Sequence, residues 1–209
     1  MKAPIRINRE FKDARIEFVS RPDFAFLNRW QRCVRNDKHP IRADAVNFAS
    51  LACKRFQAHF ALENYAERFE DIAAHVKNNP RSEVAGLVVM RCDWFADADV
   101  IGLAHFRRSW CNNLILDYLA AHPWIAAPPP GYANEVSGVG TSMLYFLCQV
   151  AVRLDCRAMW GEATQNSCEL YQRLFNLETV EDLLYIPKEN LIAFAHTMEQ
   201  KWSSLEKKK

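Results

Sequence analysis

Three short apolar runs in the middle of the chain, Val84 to Arg91, Val100 to Arg108 and Leu114 to His122, constrain its fold most. Each has the length of a strand and is bounded by polar or turn-forming residues. The connections between them are too short for a crossover helix, so the three are predicted to form an antiparallel meander. Before them, Ala14 to Ser20 alternates as a strand does. Pro22 and Asp23 then open a helical segment with Phe24, Leu27, Trp30 and Val34 on one face. A second helix starts near Asp44, where Ala45, Phe48, Ala49, Ala52, Phe56 and Phe60 recur at helical spacing and read as core. A third stripe, Tyr65, Phe69, Ile72, Ala73 and Val76, runs to a stop at Asn78-Asn79-Pro80.

Beyond the meander, residues 123–138 are proline-rich and without period, which reads as a loop. A long apolar helix follows from Gly138 to about Asp155, then a strand from Arg157 to Thr164 and a short helix from Asn166 to Phe175. Val180 to Ile186 reads as a last strand. Pro187 suits the first turn of a closing helix that carries Leu191, Phe194, Ala195, Met198, Trp202 and Leu205. The tail from Glu206 to Lys209 is expected to fray. With no repeat and no linker, residues 1–209 are expected to form one α/β (α+β) domain: a mixed, mostly antiparallel sheet flanked by helices.

Composition narrows the function. Lys and Arg number 27 against 25 Asp and Glu, a net charge of +2, which gives no footprint for nucleic acid or an anionic membrane surface. The apolar stretch from Met143 to Val152 contains Gln149 and stops at Arg153, short of the ~20 residues that span a bilayer. The opening MKAPIRINREFKD lacks the apolar centre of a secretory signal, so a cytoplasmic location is expected. The seven cysteines are odd in number and none is arranged as Cys-x-x-Cys, which favours buried, reduced thiols over disulfides or zinc. The six histidines are scattered, with no metal-ligand pair, and no metal site is expected. No Gly-x-Ser-x-Gly, His-Glu-x-x-His or Walker-type loop is present.

Only six glycines occur, and two fall in Glu135-Val136-Ser137-Gly138-Val139-Gly140-Thr141, immediately before the most apolar helix. Unpaired N–H groups at a helix start, together with the positive end of its dipole, attract phosphate. Glycine there lets a ligand approach the backbone. A plain turn is the alternative, and Met143 stands where a dinucleotide fingerprint would have its third glycine.

The context carries further. An apolar strand, Gly138-x-Gly140, a helix, the strand WGEAT and a helix with Asn166-Ser167-x-x-x-Tyr171 follow one another. This series resembles the GNAT superfamily of acyl-CoA-dependent N-acyltransferases, and MWGEATQNSCELYQRLF, residues 159–175, is similar to its second signature. The resemblance covers residues 114–175, and implies a GNAT-like sheet with a coenzyme A-binding core over about 84–187, a helical N-terminal third and an extra C-terminal helix. It implies acetyl-CoA or another acyl-CoA as cosubstrate, an amine acceptor, and backbone pairing of Leu119, Ala120 and Ala121 with the pantetheine arm. Gly138, Val139, Gly140 and Thr141 would hold the pyrophosphate, Asn166 would reach the pantetheine or adenosine, and Tyr171 would protonate the departing thiolate. Four features depart from the pattern: the Pro-rich 123–137 link is longer than usual, a helix takes the place of a common last strand, and two more concern the motifs themselves. Glu135 stands where Gln or Arg is usual, placing a carboxylate beside a pyrophosphate, and Leu174-Phe175-Asn176 stands where Gly-Phe often follows.

The attacking amine must lose a proton, and Asp117, His122, Glu162 and His105 are the residues near the expected cleft that could take it. Asp117 alternates with Ile115, Leu119 and Ala121, which points it to an apolar face. There it is either a base with a raised pKa or, equally, a salt-bridged structural residue. A water-mediated route is an equal alternative. The reading of the whole is an N-acetyltransferase acting on a primary amine of a small molecule or peptide, with a homodimer permitted. The alternative is a non-catalytic acyl-CoA-binding or protein-interaction module that keeps the fold.

Overall fold

A computed structural model of the chain describes residues 1–22, 24–37 and 39–206. The predicted meander is at its centre: β4 (Val84–Arg91), β5 (Val100–Arg108) and β6 (Leu114–Ala121) pair antiparallel in chain order. β4 and β5 are buried at nearly every position, as strands covered on both faces must be.

The sheet extends on both sides of this centre. β1 (Lys2–Ile7) and β2 (Glu10–Phe18) form a hairpin that pairs with β4, so the polar lead is a strand after all. Ala3 and Ile5 are fully buried between the outward Lys2, Pro4 and Arg6, an alternation too short and too charged to stand out. On the other side, β8 (Ala158–Glu162) runs parallel to β6, and β9 (Leu183–Pro187) closes the edge antiparallel to β8. β3 (Tyr65–Ala66) pairs parallel with β4, which removes Tyr65 from the third helical stripe. The loop expected over 123–138 contains a short helix, α4 (Pro123–Ala126), and a two-residue strand, β7 (Val136–Ser137), paired with β1. The full order is β7-β1-β2-β4-β5-β6-β8-β9, with β3 beside β4.

Helices α1 (Ala25–Val34) and α2 (Pro40–Ala61) cover one face of the sheet. α2 begins ahead of Asp44 because Pro40 sits at its start, where the missing N–H costs nothing. α5 (Val139–Arg153) and α7 (Lys188–Glu206) cover the other face. β5 shows the division directly. His105 stacks on His59 of α2 with ring centroids 5.7 Å apart, whereas a Cβ on Gly102 would meet Val139 of α5 at 2.6 Å. α3 (Phe69–Asn78) and α6 (Cys168–Phe175) complete the set.

Pro187 is the last residue of β9, opposite Ala158, rather than part of the closing helix. Asp23 and the tail residues Lys207 to Lys209 lie outside the described residues. All seven cysteines are free, but only Cys53, Cys148 and Cys156 are buried, and the other four are half-buried. Among the described residues, no helix is long and apolar enough to cross a membrane and no metal-binding group is present.

Candidate functional site

The site begins as a fault in the sheet. β6 pairs with β8 only at Leu114, Ile115 and Leu116, and beyond that the two strands part. Two local features stand at the branch point. The β5–β6 register passes from Phe106–Leu116 to His105–Tyr118, so Asp117 is an extra residue, a bulge that bends β6 and increases its twist. Gly161 of β8 crosses so close that a Cβ there would lie 2.4 Å from the Leu116 carbonyl oxygen. From Asp117 to Ala121, β6 keeps β5 on one side and has no strand on the other.

A cavity of about 520 Å³ fills this wedge. Leu119, Ala120 and Ala121 line it from β6, and Gly138, Val139, Gly140 and Thr141 line it from the first turn of α5. Asn166, Glu162, Asp117 and Tyr171 line it as well. Gly138 caps α5 with φ 99, a left-handed conformation that glycine adopts without strain. A Cβ built on Gly138 would meet nothing within 4 Å, and one on Gly140 would meet only Leu170, at 4.0 Å. The side-chain space in front of these helix-start N–H groups is therefore open, which suits an anion held by backbone donors.

Tyr171 is 4% exposed on the wall formed by α6. Burial drives its phenol up to about 12, although a hydrogen bond with Ser167 works the other way. The group keeps its proton throughout the neutral range. Ser167 stands just before the helix, and its hydroxyl accepts the Thr164 N–H at 2.9 Å, fixing the turn that leads into α6.

The residues considered as bases stand in different positions. The Asp117 carboxylate turns to the α2 face, because the bulge breaks the alternation assumed for it. Arg107 holds it in a fork at 2.7 and 2.8 Å, and His105 Nδ1 lies 3.0 Å away. Burial raises its pKa, but the hydrogen bonds from His105 and Arg107 and their charge outweigh that and bring it down to about 2. Of the two readings open in the sequence, the salt-bridged carboxylate is the one found and the raised pKa is not, and Asp117 is too weakly basic to take a proton from an ammonium. His122 lies outside the cavity, fully buried against Trp30, Phe95 and Trp124. Its Nδ1 accepts the Trp124 N–H at 3.3 Å at the start of α4, and burial lowers its pKa to about 4. It serves α4 and the core. His105 is also fully buried and outside the lining, its pKa lowered by burial against the opposing pull of Asp117. Glu162, at the end of β8, both lines the cavity and has no ion-pair partner among the described residues.

Glu135 does not face the cavity. Its side chain is 73% exposed and points to Arg6, 3.6 Å away. Its backbone exchanges hydrogen bonds with Asn8, whose N–H reaches the Glu135 carbonyl at 2.8 Å and whose side chain accepts the Glu135 N–H at 2.9 Å. The repulsion expected at the phosphate position is absent because the first strand pulls this residue outward.

The sequence points to the helical N-terminal third for acceptor contacts but identifies none of the residues of that wall. Ile41, Asp44, Ala45 and Phe48 of α2 line the cavity, as do Tyr118, Leu170 and Arg173. The α2 stripe was read as core, and helical spacing alone does not distinguish a face that packs from one that borders a void.

No family model matches the sequence, and no curated protein matches it. A solved structure of a candidate acetyltransferase from Exiguobacterium sp. 255-15 shares 13% identity, with 87% of this chain and 97% of that one covered and a TM-score of 0.51. A GNAT-family acetyltransferase from Staphylococcus aureus Mu50 shares 9% identity over 84% of this chain and 99% of that one, with a TM-score of 0.45. A candidate GNAT-family acetyltransferase from Desulfovibrio desulfuricans shares 15% over 83% and 95%, also with a TM-score of 0.45. The first of these likenesses establishes a common fold.

Proposed function

Taking the GNAT fold of this chain as premise, we propose that it is an N-acyltransferase moving an acetyl group from acetyl-CoA to a primary amine. One observation carries the reading. The unpaired edge of β6, the open first turn of α5 and the protonated Tyr171 all face a single cavity.

Each element has a matching task. The edge at Leu119, Ala120 and Ala121 offers backbone groups to the amides of a pantetheine arm, as a sheet edge does to an added strand. The N–H groups of Gly138, Val139, Gly140 and Thr141 receive the pyrophosphate, and Asn166 is at hand for the pantetheine or adenosine. The amine nitrogen attacks the thioester carbonyl, forming the C–N bond as the C–S bond breaks. Tyr171 gives its phenolic proton to the departing sulfur and regains one from solvent. Glu162 takes the proton that the amine must lose, directly or through water.

The test is release of free thiol from acetyl-CoA in the presence of mixed primary amines. General acid catalysis is typically worth about 10²–10⁴ in rate, so Tyr171→Phe should lose turnover by that order while coenzyme A affinity stays within about twofold. An unchanged turnover number in a chemistry-limited assay removes Tyr171 from the mechanism. Coenzyme A binding without thiol release for any amine favours a non-catalytic module.

A further inference from the structure

The α2 wall has a chemical character of its own. Ile41, Asp44, Ala45 and Phe48 all border the cavity. Their spacing puts them on one face of α2 over two turns, about 10 Å of helix. Three are apolar, and Phe48 is only half-buried, so its exposed part is turned to the void. Its ring lies 6.4 Å from that of Tyr118, tilted by 34°. Tyr118 reaches this position because the Asp117 bulge puts both residues on the α2 face, and its hydroxyl has no hydrogen-bond partner among the described residues. The two rings form an apolar surface inside the cavity that the fold itself leaves incompletely covered.

Asp44 is the one charge on this stripe. It is exposed to the cavity and has no cationic partner among the described residues. Asp117, also in the lining, is already paired with Arg107 and hydrogen-bonded to His105, with Arg55 3.9 Å away. Glu162 is the other unpaired carboxylate of the lining, and Arg173, the one guanidinium, belongs to α6 with Leu170 and Tyr171 rather than to the α2 wall. On the α2 wall, a cation next to the rings meets the attraction of Asp44, and an anion there meets its repulsion.

We infer that the acceptor is a cationic amine on a flat apolar body without a carboxylate, its body lying against Phe48 and Tyr118 and its charge drawn in by Asp44. This deepens the N-acyltransferase reading and rests on it. A long flexible polyamine would leave the rings wet and gain nothing from them, whereas an amino acid would bring its own carboxylate against Asp44.

Three probes separate the terms: 2-phenylethylamine, L-phenylalanine, which adds a carboxylate, and butylamine, which removes the ring. With acetyl-CoA, 2-phenylethylamine should exceed each of the others in kcat/KM by about tenfold or more. Asp44→Asn should raise KM for 2-phenylethylamine by about tenfold and narrow the margin over L-phenylalanine, and Asp44→Glu should restore much of both. Phe48→Ala should erase the margin over butylamine. Asp44 is exposed, so its variants should melt with the parent protein, which excludes a merely structural effect. L-phenylalanine turned over as well as 2-phenylethylamine, or Asp44→Asn with the parent KM, overturns the inference. Calorimetry of coenzyme A alone, and of 2-phenylethylamine with and without coenzyme A, keeps the two readings apart. No binding of coenzyme A overturns the proposed function. Coenzyme A binding without 2-phenylethylamine binding overturns only the acceptor class.

Discussion

Strand β6 has two halves that look alike in sequence and behave differently. Leu114, Ile115 and Leu116 have a strand on each side and are buried. Asp117 to Ala121 have β5 on one side and a cavity on the other. Both halves are mostly apolar, so hydrophobicity does not separate them. The difference comes from one inserted residue and one glycine at the branch: the Asp117 bulge turns β6, and Gly161 lets β8 pass close before it leaves. The lesson is that this site is made by ending a hydrogen-bond ladder early, and the groups released by that ending are what a ligand would use.

The hardest test of this contrast removes the clamp on the bulge. Arg107→Met leaves the Asp117 carboxylate, only 9% exposed, without its bidentate partner. Breaking a buried pair from one side typically costs about 3–5 kcal/mol, read as a shift in the urea midpoint. Replacing both partners by apolar residues should recover much of it. A loss below about 1 kcal/mol for the single variant would mean that His105 and Arg55 suffice.

Acid should dismantle the region in two stages. His122 and His105 have pKa values lowered by burial, so protons favour the unfolded chain. The stability they contribute is full above the ordinary value of 6.5 and is lost as pH falls to the folded value, about 4 for His122, by which point about 3 kcal/mol has gone. Asp117, lowered from 3.8 to about 2, adds stability that is full above pH 4 and is lost between there and pH 2, about 2 kcal/mol. Denaturant titrations from pH 7 down should show both falls. A flat profile between pH 6.5 and 4 would contradict the burial of the two histidines.

Gly161→Ala probes the branch itself. A methyl group 2.4 Å from a carbonyl oxygen forces β8 away from Leu116, at a cost of about 1–3 kcal/mol in melting experiments. It should also weaken coenzyme A binding by shifting the cavity wall. The smallest effect is expected at Glu135. Because its side chain leans out to Arg6, Glu135→Gln should leave coenzyme A affinity within about 0.5 kcal/mol, the scale of an exposed pair. A clear tightening, greatest at low salt, would show that the carboxylate does reach the phosphates.

What could be read from the sequence followed from local chemistry. The bounds of β4 and β5 match to the residue, because hydrophobic runs of strand length speak for themselves. The glycine turn was legible for the same reason. The errors share the opposite cause. The partner of Asp117 comes from the adjacent strand, that of Glu135 from the first strand, and the task of His122 from a helix that no periodicity announces. Asp117 also shows how a single bulge defeats an argument from alternation, since everything beyond it changes face. The residues of the α2 wall were not legible because Phe48 and its neighbours keep a core-like period beside a void.

The mutual bonds between Asn8 and Glu135, with the pairing of Arg6 to Ser137, tie the glycine turn to the very first strand. Tyr145 of α5 in turn stacks edge-on against Trp202, with ring centroids 4.6 Å apart. A ribosome makes Trp202 long after Ser137, and Ser137 long after Arg6. The hairpin and meander have nearby partners and can settle during synthesis, but the turn that would receive the phosphates is anchored early and braced late. A chain translated only through the meander therefore has no finished pocket, and competence waits for α7 to be made.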